Sequence, residues 1–367
     1  MHFTIQREAL LKPLQLVAGV VERRQTLPIL SNVLLVVQGQ QLSLSGTDLE
    51  VELVGRVTLE EPAEPGEITV PARKLMDICK SLSGDALIDI RVDDQKLLIR
   101  SGRSRFALST LPAGDFPSVE EGPGSLGFSV AQSKLRRLIE RTSFAMAQQD
   151  VRYYLNGMLL EVNGGTLRTV ATDGHRLALC SLETGIGHAD RHQVIVPRKG
   201  ILELARLLTE QDGEVAITLG QHHIRASTGE FTFTSKLVDG KFPDYERVLP
   251  RGGDKVVVGD RQLLREAFSR TAILSNEKYR GIRLQLENGL LKLQANNPEQ
   301  EEAEEEVAVE YQGGPLEIGF NVTYLLDVLG VMSADQVRLV LSDANSSALL
   351  QEADNDDSSY VVMPMRL

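Results

Sequence analysis

Basic side chains recur on five of the six helices that apolar periodicity predicts, and the chemistry open to them is contact with phosphate. Only the helix predicted over residues 321–329 lacks them. The basic residues are Arg7, Lys12, Arg23 and Arg24; Arg73, Lys74 and Lys80; Lys134, Arg136, Arg137 and Arg141; Arg198, Lys199 and Arg206; and Arg261, Arg265 and Arg270. A solvated face explains any one helix, but the same placement on five favours a surface that faces phosphates. Since no Gly-rich phosphate loop or base-reading motif is present, the contact would be independent of sequence.

Two predicted strands carry opposite charge. Residues 100–109 are basic and lie late in the first third of the chain, whereas residues 297–311 are acidic and lie in the last third. An exposed edge strand is a liability unless it is paired, and opposite charges favour cross-strand pairing. The two strands are therefore candidates to pair between two chains, in a contact that must close into a ring or polymerise. A solvated strand edge is the alternative for the acidic run.

Catalytic motifs are missing from the sequence. None of the six histidines has zinc-ligand spacing, and no G-x-S-x-G, Walker or H-E-x-x-H motif occurs. Asp173 and His175 lack the serine context of a catalytic triad, and the glutamate run lacks the pattern of a calcium loop. We therefore expect no enzyme activity, no metal and no cofactor. A metal-dependent DNA-processing enzyme that uses the glutamate run is kept as the alternative function.

Two short segments depart from the repeated pattern described next. They are TDGHRL, from Thr172 to Leu177, and the C-terminal MPMRL, from Met363 to Leu367. Exposed Met, Pro and Leu at a terminus are typical of a surface that accepts varied partners. Packing of a terminal strand on its own sheet would explain them equally well.

The elements that position these residues are repeated three times. Residues 127–179 read as strand, helix, strand, hairpin and strand, and the same order begins at His2 and at Lys255. The copies are offset by about 125 residues, the size of a small domain. Each domain has two similar halves of roughly 60 to 65 residues, so that the chain holds six strand–helix–hairpin units.

The predicted fold class is α+β, with three repeated domains, each having two helices packed on antiparallel sheets. We expect an N-terminal domain over residues 1–120, a central domain over 127–250 and a C-terminal domain over 251–367, connected by Pro- and Gly-rich linkers. The polar faces of the helices would then form a continuous surface.

Composition is that of an ordinary globular protein, with 42% hydrophobic and 25% charged residues. The formal net charge of −12 argues against a protein that coats nucleic acid, although the acidic excess is concentrated in turns and tails. Two cysteines in apolar contexts and an N-terminal segment without signal-peptide features lead us to expect a cytoplasmic protein.

The chain as a whole resembles the bacterial DNA polymerase III beta subunits, the replicative sliding clamps. The motifs that carry the resemblance are LPILSN, GTDLE, VPARK, SGRSRF, QDVRYYLNGM, TVATDGHRLA, VIVPRKG, SKLVDGKFPDY, AILSNEK, ANNPEQEEAEE, IGFNV and YVVMPMRL. The resemblance implies a head-to-tail homodimeric ring of six domains that encircles double-stranded DNA and confers processivity on the replicative polymerase. It also implies partners that insert a short apolar peptide into a cleft: the polymerase III catalytic subunit, the clamp loader, translesion and repair polymerases, and mismatch repair proteins.

The resemblance also assigns residues to three sites. DNA contact is implied for Arg24, Arg73, Gln149, Tyr153 and Tyr154. The partner-peptide cleft is implied to comprise Leu155, Thr172, Gly174, His175, Arg176, Leu177, Pro243, Arg247, Val248, Asn321, Tyr324, Ser347, Met363, Pro364, Met365, Arg366 and Leu367. The dimer interface is implied to join Lys74, Lys96, Arg103, Arg105, Phe106 and Leu108 to Ile273, Leu274, Glu299, Glu301, Glu302 and Glu305. A repeat-type scaffold without a DNA role is a further alternative.

Overall fold

The computed structural model describes residues 1–21, 27–119, 124–187, 190–210 and 213–366. Its helices are α1 (Arg7–Ala18), α2 (Ala72–Ser81), α3 (Gln132–Thr142), α4 (Arg198–Leu207), α5 (Arg261–Thr271) and α6 (Val322–Val331). Its strands in the first half of the chain are β1 (His2–Gln6), β2 (Asn32–Gln38), β3 (Gln41–Thr47), β4 (Val51–Thr58), β5 (Gly66–Pro71), β6 (Leu87–Asp93), β7 (Lys96–Ser101), β8 (Ser104–Ser109), β9 (Gly124–Ala131), β10 (Gly157–Asn163), β11 (Thr166–Thr172) and β12 (Arg176–Glu183).

The strands of the second half are β13 (His192–Pro197), β14 (Glu214–Gly220), β15 (His223–Ser227), β16 (Phe231–Lys236), β17 (Lys255–Asp260), β18 (Gly281–Glu287), β19 (Leu290–Asn296), β20 (Glu302–Ala308), β21 (Leu316–Asn321), β22 (Gln336–Leu341), β23 (Ala348–Glu352) and β24 (Asn355–Val362). The chain forms two compact units. One contains Met1–Ser133 and Lys199–Leu237, and the other contains Lys134–Arg198 and Val238–Leu367.

The first unit contains two antiparallel sheets. One has four strands in the order β1-β6-β7-β8, and the other has eight in the order β5-β2-β3-β4-β16-β15-β14-β9. The eight-stranded sheet is continuous because β4 of the predicted N-terminal domain pairs with β16 of the predicted central domain, with Leu53 opposite Phe233. The alternating burial of β3 and β4 reflects one face packed on α1, whose Leu10, Leu14 and Val17 are buried.

The second unit repeats this arrangement. Its eight-stranded sheet has the order β13-β10-β11-β12-β24-β23-β22-β17, and its four-stranded sheet has the order β20-β19-β18-β21. Here β12 pairs with β24, with Leu177 opposite Val361. Helix α5 begins where the Asp260 carboxylate accepts a hydrogen bond of 2.8 Å from the Leu263 N–H, and α6 begins with the same type of cap from Asn321. Strands of successive predicted domains share a sheet in both units, so the boundaries of the compact units do not follow the predicted domains, which remain a sequence-based division.

Candidate partner-peptide cleft, DNA-contact residues and sheet edges

The turn between β11 and β12 is fixed by its own polar side chains. The Thr172 hydroxyl donates to the Arg176 carbonyl at 2.6 Å, and the Asp173 carboxylate accepts from the N–H groups of His175 and Arg176 at 2.9 and 3.1 Å. Gly174 has a φ of +90°, a conformation that glycine adopts without a steric penalty. An added Cβ there would lie 2.9 Å from the end of the flexible Arg152 side chain, so the positive φ disfavours larger residues more than the available space does.

Arg176 joins this turn to α6. Its guanidinium lies 4.5 Å from the centre of the Tyr324 ring and 5.2 Å from that of Phe144. It donates to Asp173 at 3.1 Å and pairs with Asp327, and its side chain is only 12% exposed. Stacked and paired in this way, the arginine is a fixed part of the wall. Burial raises the pKa of Tyr324, and the nearby carboxylates of Asp173 and Asp327 act in the same direction.

The C-terminal segment runs beside this wall. The Met363 N–H donates to the His175 carbonyl at 2.9 Å, and the Met365 N–H donates to the Gly319 carbonyl at the same distance. Pro364 and Met365 are half-buried, whereas 47% of Met363 is exposed. Backbone hydrogen bonds therefore hold an apolar segment at the surface with its side chains accessible. Leu367 lies outside the described residues.

An apolar cluster lies beneath these segments. It comprises Leu159, Val170, Leu177, Leu179, Ile195, Phe242, Tyr245 and Val361, against which Tyr154, Val238, Leu249 and Leu349 pack. Val248, next to this cluster in sequence, is 45% exposed. A surface strip of exposed apolar groups above an apolar floor, flanked by an arginine and an aspartate, is suited to an apolar peptide.

The remaining cleft residues differ in exposure. Pro243 and Arg247 are exposed, and Arg247 pairs with Asp244 at 2.9 Å. Ser347 and Asn321 are half-buried, and Ser347 directly precedes Ala348, which pairs with Val362. Leu155 is buried and therefore supports the cleft from below.

Arg152 also contacts the turn of the candidate cleft, which the sequence did not indicate. Its guanidinium donates to the Asp173 carbonyl at 3.2 Å and binds the Asp150 carboxylate at 2.8 Å. The hydrogen bonds from Arg152 lower the pKa of Asp150 to about 2. The motif QDVRYYLNGM contained this arginine, but only the fold brings it to the turn at Gly174.

The predicted DNA-contact residues lie on exposed segments. Arg73 is exposed on α2, and Gln149 is exposed with a φ of +55°. Tyr153 is 58% exposed and forms an edge-to-face pair with Tyr154 at 5.8 Å between ring centres. Arg24 lies outside the described residues.

Two basic helix residues donate hydrogen bonds to carbonyls at or near the end of a neighbouring helix. Arg7 of α1 donates to the carbonyl of Cys79 near the end of α2 at 2.9 Å. Arg261, in the equivalent position of α5, donates to the carbonyl of Leu329 near the end of α6 and to that of Ala334 just beyond it. Guanidinium groups there satisfy terminal carbonyls and complement the helix dipole. Both arginines are half-buried, and their contribution to a phosphate-facing surface stays a prediction.

Arg141 does not lie at the surface, contrary to the prediction from the sequence. It was included among the basic helix residues of a phosphate-facing surface, but it is 5% exposed. Its guanidinium donates to Glu352 at 2.7 Å and to the Ser333 hydroxyl at 2.6 Å. It is therefore a buried structural cation.

The predicted interface residues lie at two sheet edges. Strand β8 forms one edge of a four-stranded sheet, and on it Arg105 is exposed, Phe106 is half-buried and Leu108 is buried. The other predicted interface residues of the first unit are exposed: Lys74, Lys96 and Arg103. Strand β20 ends the other four-stranded sheet and carries exposed Glu302, with exposed Glu299 and Glu301 preceding it. Ile273 is 74% exposed and Leu274 is half-buried. Glu305 is paired within its own chain with Arg270 at 2.6 Å, which lowers the pKa of Glu305.

Among the residues that the structure describes, no group of three His, Cys, Asp or Glu side chains could hold a metal ion. Across the same residues, none of the helices is both long and apolar enough to cross a membrane. Cys79 and Cys180 are buried free thiols, and burial raises the pKa of each, that of Cys79 to about 11.

Three successive segments of the chain match the three domains of one known family. Residues 1–120, 129–244 and 246–366 match the N-terminal, central and C-terminal domains of the DNA polymerase III beta subunit. The chain is 87% identical to the beta sliding clamp of Pseudomonas aeruginosa, over 100% of both sequences. This chain belongs to the DNA polymerase III beta subunit family, the bacterial sliding clamps.

Solved structures of this family agree. The crystal structure of the DNA polymerase III subunit beta from Pseudomonas aeruginosa superposes with a TM-score of 0.98 at 86% identity, and all of both chains is covered. The sliding clamp of the same organism bound to griselimycin superposes with a TM-score of 0.99 at 87% identity, again over 100% of both chains. The predicted family, three-domain clamp fold and non-catalytic role are confirmed, and the alternative of a metal-dependent enzyme gains no support.

Proposed function

We propose that two copies of this chain close head-to-tail around double-stranded DNA and tether the replicative polymerase to it. The observation that carries the proposal is the order of strands in the four sheets. Two eight-stranded sheets join successive domains through an edge pair, β4 with β16 and β12 with β24. Two four-stranded sheets end at β8 and β20, which have no strand partner on one side among the described residues. A third and fourth junction of the same kind would pair β8 of each copy with β20 of the other.

Strand β8 corresponds to β16 in the internal repeat. Phe106 lies at the end of a row in which Phe3, Ile90 and Ile99 stand opposite one another. Phe233 ends the equivalent row of Phe128, Ile217 and Ala226. Phe106 is thus the counterpart of Phe233, which is fully buried where its junction is filled.

Strand β20 corresponds to β4 in the same way. Glu305 stands opposite Leu293, as Gly55 stands opposite Leu44. Transfer of the observed register of β16 on β4 then places Phe106 opposite Ala303 and Arg105 opposite Glu304 of the partner subunit. Opposite charges directly across an antiparallel pair are stabilising, and the half-buried phenyl ring would become buried.

The cleft is the second part of the proposal. We infer that it binds short apolar peptides of the polymerase, the clamp loader, translesion and repair polymerases, and mismatch repair proteins. The exposed Met363 beside the stacked Arg176 supports this assignment, and the griselimycin-bound relative shows that a family member takes a ligand. We assign Arg24, Arg73, Gln149, Tyr153 and Tyr154 to sequence-independent contact with the duplex, and the protein to the cytoplasm, where bacterial replication takes place.

A comparison of protein retention on circular and on linear DNA tests this function. The protein would be loaded onto nicked circular DNA by a bacterial clamp loader, freed of unbound protein by gel filtration, and divided into two portions. One portion would be cut once by a restriction enzyme. A closed ring stays on the circle and slides off the linear molecule, so retention should fall after cutting. Equal retention on both forms would contradict encirclement and favour ordinary electrostatic binding.

A further inference from the structure

A carboxylate buried beneath the candidate cleft accepts hydrogen bonds from four side chains. Glu161 of β10 is 1% exposed. One of its oxygens, Oε1, accepts from the Tyr245 hydroxyl at 2.9 Å, and the other, Oε2, accepts from Arg191 at 2.9 Å and from the Gln193 amide at 2.5 Å. Arg168 lies 3.4 Å from Oε1 and donates to the Tyr245 hydroxyl at 2.8 Å.

Two consecutive residues of one segment converge on this carboxylate. The Tyr245 hydroxyl donates directly to Oε1 of Glu161. Glu246 is linked to Oε2 of Glu161 through Arg191, whose guanidinium also donates to the Glu246 carboxylate at 3.2 Å. Both residues belong to the segment of residues 242–249, which also supplies Phe242 and Leu249 to the apolar cluster. The segment is therefore anchored at both oxygens of one buried group and by its apolar side chains.

The same segment presents the cleft residues Pro243, Arg247 and Val248 to solvent. A short 3₁₀ turn over Tyr245–Arg247 carries the chain from the buried ring of Tyr245 to the exposed Val248. The position of Val248 therefore depends on how firmly Tyr245 is held. Burial raises the pKa of Tyr245, so its hydroxyl remains a hydrogen-bond donor at neutral pH.

We propose that Glu161 and the Tyr245 hydroxyl are positioning residues, which hold the 242–249 segment as a preformed wall of the partner-peptide cleft. The inference rests on the proposed cleft. A peptide that meets a preformed wall does not have to order it on binding. Loss of the hydroxyl leaves Glu161 without one donor and Arg168 without one acceptor, and the segment then samples other positions.

The test compares two tyrosines that differ in what they hold. Tyr245→Phe removes the hydroxyl that binds Glu161. Tyr311→Phe is the matched control, because Tyr311 is equally buried and its hydroxyl donates to the Gly314 carbonyl outside the cleft. Griselimycin is the probe, with affinity and dissociation rate measured by surface plasmon resonance on the full-length protein. We expect Tyr245→Phe to weaken binding about tenfold, mostly through faster dissociation, and Tyr311→Phe to leave it unchanged.

A double-mutant cycle separates positioning from general loss of stability. Glu161→Gln and Tyr245→Phe both alter the hydrogen bond between these two side chains, so the losses of affinity in the single variants should not add in the double variant. Thermal unfolding of each variant shows whether it remains folded at the assay temperature. Binding by Tyr245→Phe that equals that of Tyr311→Phe, or fully additive losses, would overturn the inference.

Deletion of residues 363–367 distinguishes failure of this inference from failure of the cleft itself. If the deletion abolishes griselimycin binding while Tyr245→Phe has no effect, the cleft stands and the positioning role is refuted. If the deletion leaves binding unchanged, the cleft assignment is wrong and the positioning role falls with it.

Discussion

Arg176 combines more interactions than any other described cleft residue, and its substitution tests the wall at the level of a single side chain. Replacement by Met keeps much of the volume between the rings of Phe144 and Tyr324 but leaves Asp173 and Asp327 without their cation. We expect Arg176→Met to reduce griselimycin affinity by about 1 to 3 kcal/mol, the usual cost of losing a charged hydrogen-bond partner and a cation–π contact.

The matched control for Arg176→Met is Arg283→Met. Arg283 makes one exposed ion pair with Glu317 at 2.9 Å and lies outside the cleft. Calorimetric titration of both variants checks the expectation. Equal affinities for the two variants would show that Arg176 has no part in ligand binding.

For single residues, prediction from the sequence alone succeeded at some positions and failed at others. The turn TDGHRL was identified because it broke the repeat, and the structure adds that its Gly174 has a positive φ. The partners of Arg7, Arg141 and Arg261 could not be predicted, because periodicity reports which residues share a helix face, not what covers that face. These partners are carbonyls and a carboxylate that are distant in sequence, such as Glu352 for Arg141.

Among the secondary-structure elements, the contact of α3 with β23 predicts a pH dependence. Burial alone would raise the pKa of Glu352, but the Ser333 N–H and the Arg141 guanidinium outweigh burial and bring the pKa to about 2. The folded state therefore binds the proton less tightly than the unfolded state. Ionised Glu352 therefore stabilises the folded state by roughly 3 kcal/mol. This stabilisation is complete above the unfolded pKa near 4.5 and is lost as the pH falls towards 2.

Comparison with Glu352→Gln isolates this effect from general acid unfolding. At pH 7 the variant should be less stable by about 3 to 5 kcal/mol, because Arg141 is left buried without a counter-charge. The difference between the two proteins should narrow between pH 4.5 and pH 2 in urea denaturation followed by circular dichroism. Glu317→Gln, which removes an exposed pair, should show no such pH-dependent difference. A constant gap across this range would refute the assignment of the low pKa to Glu352.

Helix and strand order could be anticipated at this level because each half-repeat carries its own periodicity. The edge pairings could not, since β4 with β16 and β12 with β24 join strands from different repeats. Nothing in a local pattern specifies which edge a strand will meet. Charge was the only sequence signal, and it marked β8 and β20, where the partner would come from a second chain.

For the whole molecule, the register transferred from the internal junction makes a specific prediction about ring closure. Arg105→Glu places a carboxylate opposite Glu304 of the partner subunit, and like charges directly across a strand pair are destabilising. We expect this variant to shift the solution mass from dimer towards monomer and to lose retention on circular DNA. The same repulsion should arise in Glu304→Arg alone, because two guanidinium groups would then face each other across the proposed strand pair.

Combination of the two changes should restore the dimer, because Arg105→Glu with Glu304→Arg exchanges the charges across the proposed pair. Arg105→Glu with Glu305→Arg is the control, since Glu305 points to the other face of β20 and is paired with Arg270 in its own chain. Sedimentation equilibrium distinguishes the two double variants. Rescue by the Glu305 change and not by the Glu304 change would show that the register differs from the proposed one by one residue. Such a slip would align Phe106 with the exposed face of β20 and not with its buried face. Since the counterpart Phe233 is fully buried in its filled junction, the rescue experiment tests whether the contact between subunits repeats the contact between domains.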